Sequence, residues 1–459
     1  MTKTITSFFL SAWLLLSLGC GNRTSGPHPV EALTGAHTRL VWLQDAWDHV
    51  DVFSDAGQVR LMSLDSRDGR GEQVRVPGPA PLRKPLISPC GEWIVYSRDD
   101  DASVWALPWE DDTPLRITEG VALDVVRDAA DETLWIYVGR EPVDPGVNVA
   151  YGEVHRVNLS DPDQAEQVWD GPPVGRDNFQ VSADGRLAGA LFPWPDAGFA
   201  DLENGTWEQI GRGCWTGLSP TSPSLMWILD GAHRNLNLNH AETRERWTVP
   251  LAQHEAIGGH EIYHPRWSSH PSYLVMSGPY KIRKGGNNIR GGGADVQLHV
   301  GRFAEDWQSI EAWAQVTDNE HANFFPDVWV RFDAETRADL RSAPDRSDAE
   351  ETLAARIVEL EVRLLEKTPT PTLADIAPYT QGLAAHSYEV ISAPGDFPYE
   401  RILIAHWVIR DRETLPPMAL QPGEQTTFTV TAYDEVPELE GERLVMDVED
   451  LLLPLFYEK

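Results

Sequence analysis

Two short runs, Trp93 to Tyr96 and Val104 to Leu107, set apolar residues on either side of a polar turn that contains Asp99, Asp100 and Asp101. Apolar positions at period two lay one side of an extended strand against a core, and a turn between two such runs closes a hairpin. The same plan of strand, Ser-containing turn, apolar strand, polar connection and further strand returns at 179–211, at 216–249 and at 264–317. A weaker copy occupies 123–159.

Copies recurring every 40–50 residues or so, each a small sheet unable to bury both faces alone, predict stacking around an axis as a β-propeller. Turns at Ser88, Ala129, Ser182, Ser219 and Ser268 mark five blades. A sixth is expected from chain ends that meet, with 324–332 supplying its innermost strand and 38–65 the others; this closes the ring and removes an open sheet edge. Seven blades is the alternative. The stretch "SPCGEWIVYSRDDDASVWAL" resembles the repeats of TolB-like propellers, whose blades open on Ser-Pro-Asp-Gly followed by an apolar strand. Cys90 replaces the Asp here, and Asp-Gly survives at Asp184-Gly185. The resemblance covers 38–332 and implies a six-bladed TolB-like β-propeller. Such propellers serve as partner-binding subunits, as sugar lyases and as appendages of peptidases.

Beyond the propeller, "DAEETLAARIVELEVRLLEK" (348–367) sets Leu353, Ile357, Leu360 and Leu364 at steps of four, three and four. That spacing predicts a helix, ended by the prolines of 368–372. Alternating stretches then predict a small antiparallel β domain. The expected organisation is a signal segment at 1–20, a tether at 21–37, the propeller at 38–332, a helix and linker at 333–372, and the C-terminal β domain at 373–459.

Composition narrows the function. A net charge of −33 argues against nucleic acid, because phosphate binding needs a basic face. Lys3, an apolar run from Ile5 to Leu18, and then Gly19-Cys20 read as an export signal too short to span a bilayer. Its end resembles a bacterial lipoprotein signal, which implies lipidation of Cys20 and membrane attachment in the cell envelope, at the outer membrane facing the periplasm or the cell surface. Cys90 and Cys214 remain, too few for a disulfide framework.

Candidate chemistry gathers where innermost strands begin. Arg83, Lys84, Asp124, Asn178, Trp215, His264, Arg266 and Asp327 are expected to converge on one funnel mouth as a mixed-charge pocket for a saccharide, a peptide end or a divalent metal ion, or for an envelope protein partner. The alternative is that each supports its own turn. The stretch "GGHEIYHPRWSSH" matches His-Glu-x-x-His at His260, Glu261 and His264. A zinc helix there conflicts with Gly258-Gly259 and with Pro265, which also pushes His264 toward extended backbone. In a strand, His264 and Arg266 face the channel while Trp267 packs between blades. His260, His264 and His299 would hold a metal only if the insertion at 278–295 folds back. Oligogalacturonate lyases of the TolB-like group are similar in using channel histidines for a metal. Two readings follow: a channel-mouth binding protein, not clearly an enzyme, and a metal-assisted polysaccharide lyase or hydrolase.

Overall fold

The computed structural model describes residues 27–46, 59–144, 149–222, 224–281, 293–332, 357–395 and 397–459. The expected signal and Cys20 lie outside them. Among the described residues no helix is long and apolar enough to cross a membrane.

Six sheets form the propeller. Blade 1 orders Asn323–Val330, Thr38–Asp45, Val59–Asp65 and Gln73–Ala80 from the inside outward. Thr38 pairs with Val330, Leu40 with Val328 and Val41 with Asp327, so the two ends of the ring share a blade as the sequence predicts. Blade 2 runs Leu82–Ile87, Trp93–Arg98, Ser103–Pro108 and Leu115–Glu119. Blade 3 runs Val121–Arg127, Leu134–Asp144, Ala150–Asn158 and Ala165–Trp169, with Val174–Gly175 added to its third strand. Blade 4 starts at Gln180–Val181 and ends with Thr206–Arg212. Blade 5 runs Cys214–Leu218, Leu225–Leu229, Asn235–His240 and Arg246–Pro250; blade 6 runs Glu261–Trp267, Tyr273–Tyr280, Gln297–Phe303 and Ile310–Gln315.

The recurring serine has a physical reason. The Ser88 hydroxyl accepts the N–H of Trp93 at 3.0 Å and the Ser182 hydroxyl that of Leu187 at 2.9 Å, so each closes the turn between first and second strands. Gly91 sits in that turn at φ 79°, and a Cβ there would come within 2.7 Å of the Trp329 ring. Blades pack through large rings: Trp227 of blade 5 stacks on Trp267 of blade 6 with centroids 4.1 Å apart. This is the packing between blades expected for Trp267.

Three expectations are corrected outside the ring. Val358–Glu366, placed in a helix by the spacing of its leucines, is a strand. Val358, Leu360, Val362 and Leu364 are buried and alternate with charged residues, so Leu360 and Leu364 also fit period two, and sheet partners decided the outcome. The folded C-terminal unit therefore begins before residue 373. Its sheet is mixed rather than purely antiparallel: Leu455–Glu458 runs parallel to Arg401–Arg410, and Arg443–Met446 parallel to Gly382–Ser392. Pairing passes from Val358–Glu366 to Gly382–Ser392, Arg401–Arg410, Leu455–Glu458, Gln425–Ala432 and back, so the sheet closes into a barrel around Leu360, Leu364, Tyr388, Ile404 and Phe456. Finally, part of the expected tether is folded. Pro29–Thr34 forms a short helix that buries Val30 against blades 1 and 6, beside Leu40 and Val300.

Candidate functional site

Each innermost strand begins at one face of the ring, the top face, where loops joining second to third strands also emerge. Near that face the innermost strands carry register shifts, between Arg83 and Leu86, Ala122 and Asp124, Cys214 and Thr216, and Tyr263 and Arg266. A further shift between Val41 and Leu43 lies opposite Phe324 and Asp327 in blade 1. Three innermost-strand residues that precede prolines take left-handed backbone: Lys84 at φ 27°, His264 at 53° and Phe325 at 49°. His264 thus departs from the extended conformation expected ahead of Pro265. Such backbone costs on the order of 1–3 kcal/mol per residue and persists only where the surroundings fix it. Its result is that Lys84, His264 and Phe325 line one axial cavity with Asp177, Gln180, Trp215 and Arg266.

The charges there are tied to one another. Arg266 of blade 6 donates through Nε to Asp327 of blade 1 at 2.8 Å and through Nη2 to Asp124 of blade 3 at 3.0 Å. Asp327 also accepts the N–H of Ile87 in blade 2 at 2.7 Å, and Asp124 that of Val181 in blade 4 at 2.8 Å. Lys84 Nζ donates to the Leu123 carbonyl at 2.8 Å, and Gln180 accepts the N–H of Leu218 at 2.8 Å. Each of these side chains fastens its own innermost strand to a neighbour, and one guanidinium spans the axis. Asn178 acts likewise, taking the Thr216 N–H at 3.3 Å, while Arg83 pairs with Asp99.

Of the eight residues expected at the funnel mouth, Lys84, Trp215, His264 and Arg266 line the axial cavity, Asp124 and Asp327 are bound to Arg266, and Arg83 and Asn178 are not among its lining; the polar groups present close the ring. The axial cavity that remains is about 20 Å³, room for roughly one water. Burial pushes the Lys84 ammonium down to about 7, aided by the like charge of Arg266, and pushes the His264 imidazole down to about 3. His264 is therefore a neutral ring, packed on Phe325 with centroids 4.1 Å apart and held at 2.8 Å by Ser277. Gln180 and Phe325 were not expected here. The repeated residue-before-proline at Lys84-Pro85, His264-Pro265 and Phe325-Pro326 is the sequence signal that marks Phe325.

The barrel docks on the same face. Glu261 and Arg443 are wholly buried, with Arg443 Nη2 2.7 Å from Glu261 Oε1. Tyr263 donates to Glu261 Oε2 at 2.8 Å. His233 Nδ1 lies 3.2 Å from Glu261 Oε2 and 3.1 Å from Arg443 Nη1, and can serve only one of them. The Tyr379 hydroxyl contacts His233 Nε2 at 2.9 Å and Cys214 Sγ at 2.5 Å. Burial pushes the His233 imidazole down to about 4 and the Cys214 thiol up to about 11, so neither carries charge near neutrality. Burial also pushes Glu261 up, but Arg443 and His233 outweigh it and hold the carboxyl at about 2. Backbones meet directly beside this cluster: a Cβ on Gly231 would lie 2.0 Å from the Glu442 carbonyl oxygen.

The metal candidates separate. His260 to Trp267 is no helix, since Glu261–Trp267 is a strand. His264 lines the axis, whereas His260 and His299 line another cavity at the foot of the insertion, with Lys281 and Asp295, which pair at 3.0 Å. Among the described residues no group of three His, Cys, Asp or Glu side chains is placed to hold a metal ion. Arg283, Lys284 and Arg290 of the insertion lie outside the described residues.

The geometry defines a six-bladed β-propeller with a mixed β-barrel fixed to its top face. No family model matches the chain, and no curated protein does. Among solved structures it is similar to TolB from Acinetobacter baumannii, at 14% identity over 65% of this chain and 69% of that one, with a TM-score of 0.43. It is also similar to a chain of a nidogen/laminin complex, at 8% identity over 64% and 98% with a TM-score of 0.42, and to a putative TolB from Agrobacterium tumefaciens, at 12% over 65% and 99% with a TM-score of 0.34. Strand pairing, rather than these scores, defines the architecture.

Proposed function

We propose that this chain is an exported protein of the bacterial envelope, attached through a lipid on Cys20, whose propeller top face and docked barrel together bind a protein partner. The observation that carries this reading is the filled axis. Arg266, Asp124, Asp327 and Lys84 are bound to one another and to backbone, and the space of about 20 Å³ between them is too small for a sugar or a peptide end. Recognition then falls to the rim and loops around the mouth. The metal-assisted lyase reading loses its support, because His264 is separated from His260 and His299.

Site-specific photocrosslinking tests the assignment. A photoreactive residue at exposed Asp101, in the top-face loop of blade 2, is expected to give one discrete adduct in native envelopes. The same group at exposed Asp112, on the opposite face of that blade, is expected to give none. Adducts from Asp112 alone, or from neither position, contradict the proposal.

A further inference from the structure

The barrel interior is apolar at its centre and opens at one end into a cavity of about 420 Å³, within the range of roughly 300–1,000 Å³ that small-molecule sites occupy. Its walls include Trp407, Phe428, Leu415, Pro417 and Met418. Two polar groups face this apolar lining with hydrogen-bonding capacity to spare.

The first is His386, which is 2% exposed. Its Nδ1 accepts the Thr368 N–H at 3.1 Å, so in the neutral ring the proton sits on Nε2. Nε2 has no hydrogen-bond partner among the described residues. Burial, with His406 and Lys367 nearby, holds this imidazole at about 3, and it stays neutral. The second is Lys367, whose Nζ donates to the carbonyls of Met418 and Leu420 and meets no carboxylate among the described residues.

The one carboxylate lining the cavity is already engaged. Glu458 Oε2 lies 2.6 Å from His406 Nδ1, and His406 Nε2 lies 2.9 Å from the Tyr388 hydroxyl. Glu458 is thereby tied through His406 to Tyr388, and among the described residues no contact joins it to Lys367 Nζ, which meets only the two carbonyls. A cavity with apolar walls, a fixed N–H donor and an unpaired ammonium is complementary to an apolar molecule ending in an anion.

We propose that the barrel pocket binds a small apolar carboxylate, its tail against Trp407, Phe428 and Met418 and its carboxylate between His386 Nε2 and Lys367 Nζ. Isothermal titration of the full chain with octanoate and with octan-1-ol tests this. Octanoate is expected to bind one to one and at least about tenfold tighter than the alcohol. Lys367→Met is expected to erase that preference and His386→Phe to weaken octanoate alone, with circular dichroism confirming the fold of each. No octanoate binding at millimolar concentration, equal affinities for acid and alcohol, or a folded Lys367→Met variant that retains the preference overturns the proposal. Should Lys367→Met fail to fold, the comparison of acid with alcohol on the unmodified chain decides alone.

Discussion

Arg443→Met isolates the join between barrel and propeller. Both members of the Arg443–Glu261 pair are wholly buried, so removing the guanidinium strands a carboxylate that water cannot reach. Glu261 is held at about 2 against an ordinary 4.5, and that difference corresponds to about 3 kcal/mol at neutral pH. The general cost of breaking a buried pair, about 3–5 kcal/mol, agrees. The sign of the pH dependence separates this account from simple loss of packing. A depressed carboxyl stabilises the fold above its ordinary 4.5, and the contribution fades as pH falls toward 2. Without Arg443 only His233 and Arg234 remain to oppose burial, the largest effect, so Glu261 is expected to move up and the variant should gain stability on acidification from pH 7 toward 5 while the unmodified chain does not. Urea unfolding followed by tryptophan fluorescence at pH 7 and pH 5 measures both quantities. The double variant Glu261→Gln/Arg443→Met should recover most of the loss. A loss below about 1 kcal/mol in the single variant, or a double variant no better than the single, refutes the reasoning.

Two further perturbations test the axis and the interface. Lys84 is depressed to about 7 from 10.5, so it binds its proton less well when folded; stability should rise between pH 7 and pH 10, and Lys84→Met should flatten that rise in thermal melts. Gly231→Ala drives a methyl into the Glu442 backbone, and limited proteolysis should release the barrel from an intact propeller.

The ring was legible because its signals are local and repeated. Ser88 and Ser182 close turns within five residues, and each copy repeats the same alternation, so counting turns finds the blades. Closure through 324–332 and 38–65 followed from needing a partner for a bare edge. The strand at Val358–Glu366 was not legible, because Leu360 and Leu364 belong both to the helical spacing and to the alternation Val358, Leu360, Val362 and Leu364, and only distant partners such as Val430 and Tyr388 choose between them. Of the candidate residues, Lys84, Trp215, His264 and Arg266 line the axial cavity, whereas the use made of the charged groups was not legible. Charge at the start of an innermost strand shows that a group reaches the axis, not whether Asp124 and Asp327 arrive there to neutralise Arg266. Nor does the sequence around His233 show that it lies under the barrel, because that place depends on Arg443, about two hundred residues away.

Whether a buried charge is compensated distinguishes scaffold from site in this molecule. On the propeller axis Arg266 meets two aspartates, and each aspartate also takes a backbone N–H from a further blade, so an added ligand would have to break bonds that hold the ring closed. At the interface Arg443 and Glu261 neutralise each other with no exposure to solvent, which suits a permanent join better than a hinge. In the barrel pocket the balance differs. Glu458 is engaged by His406, and Lys367 meets only carbonyls. An anion entering there gains a charge-assisted contact without breaking a structural one, whereas an anion entering the axis must compete with Asp124 and Asp327 for Arg266. The two places therefore carry opposite expectations for the same probe: octanoate should perturb the environment of Trp407 and leave that of Trp215 unchanged.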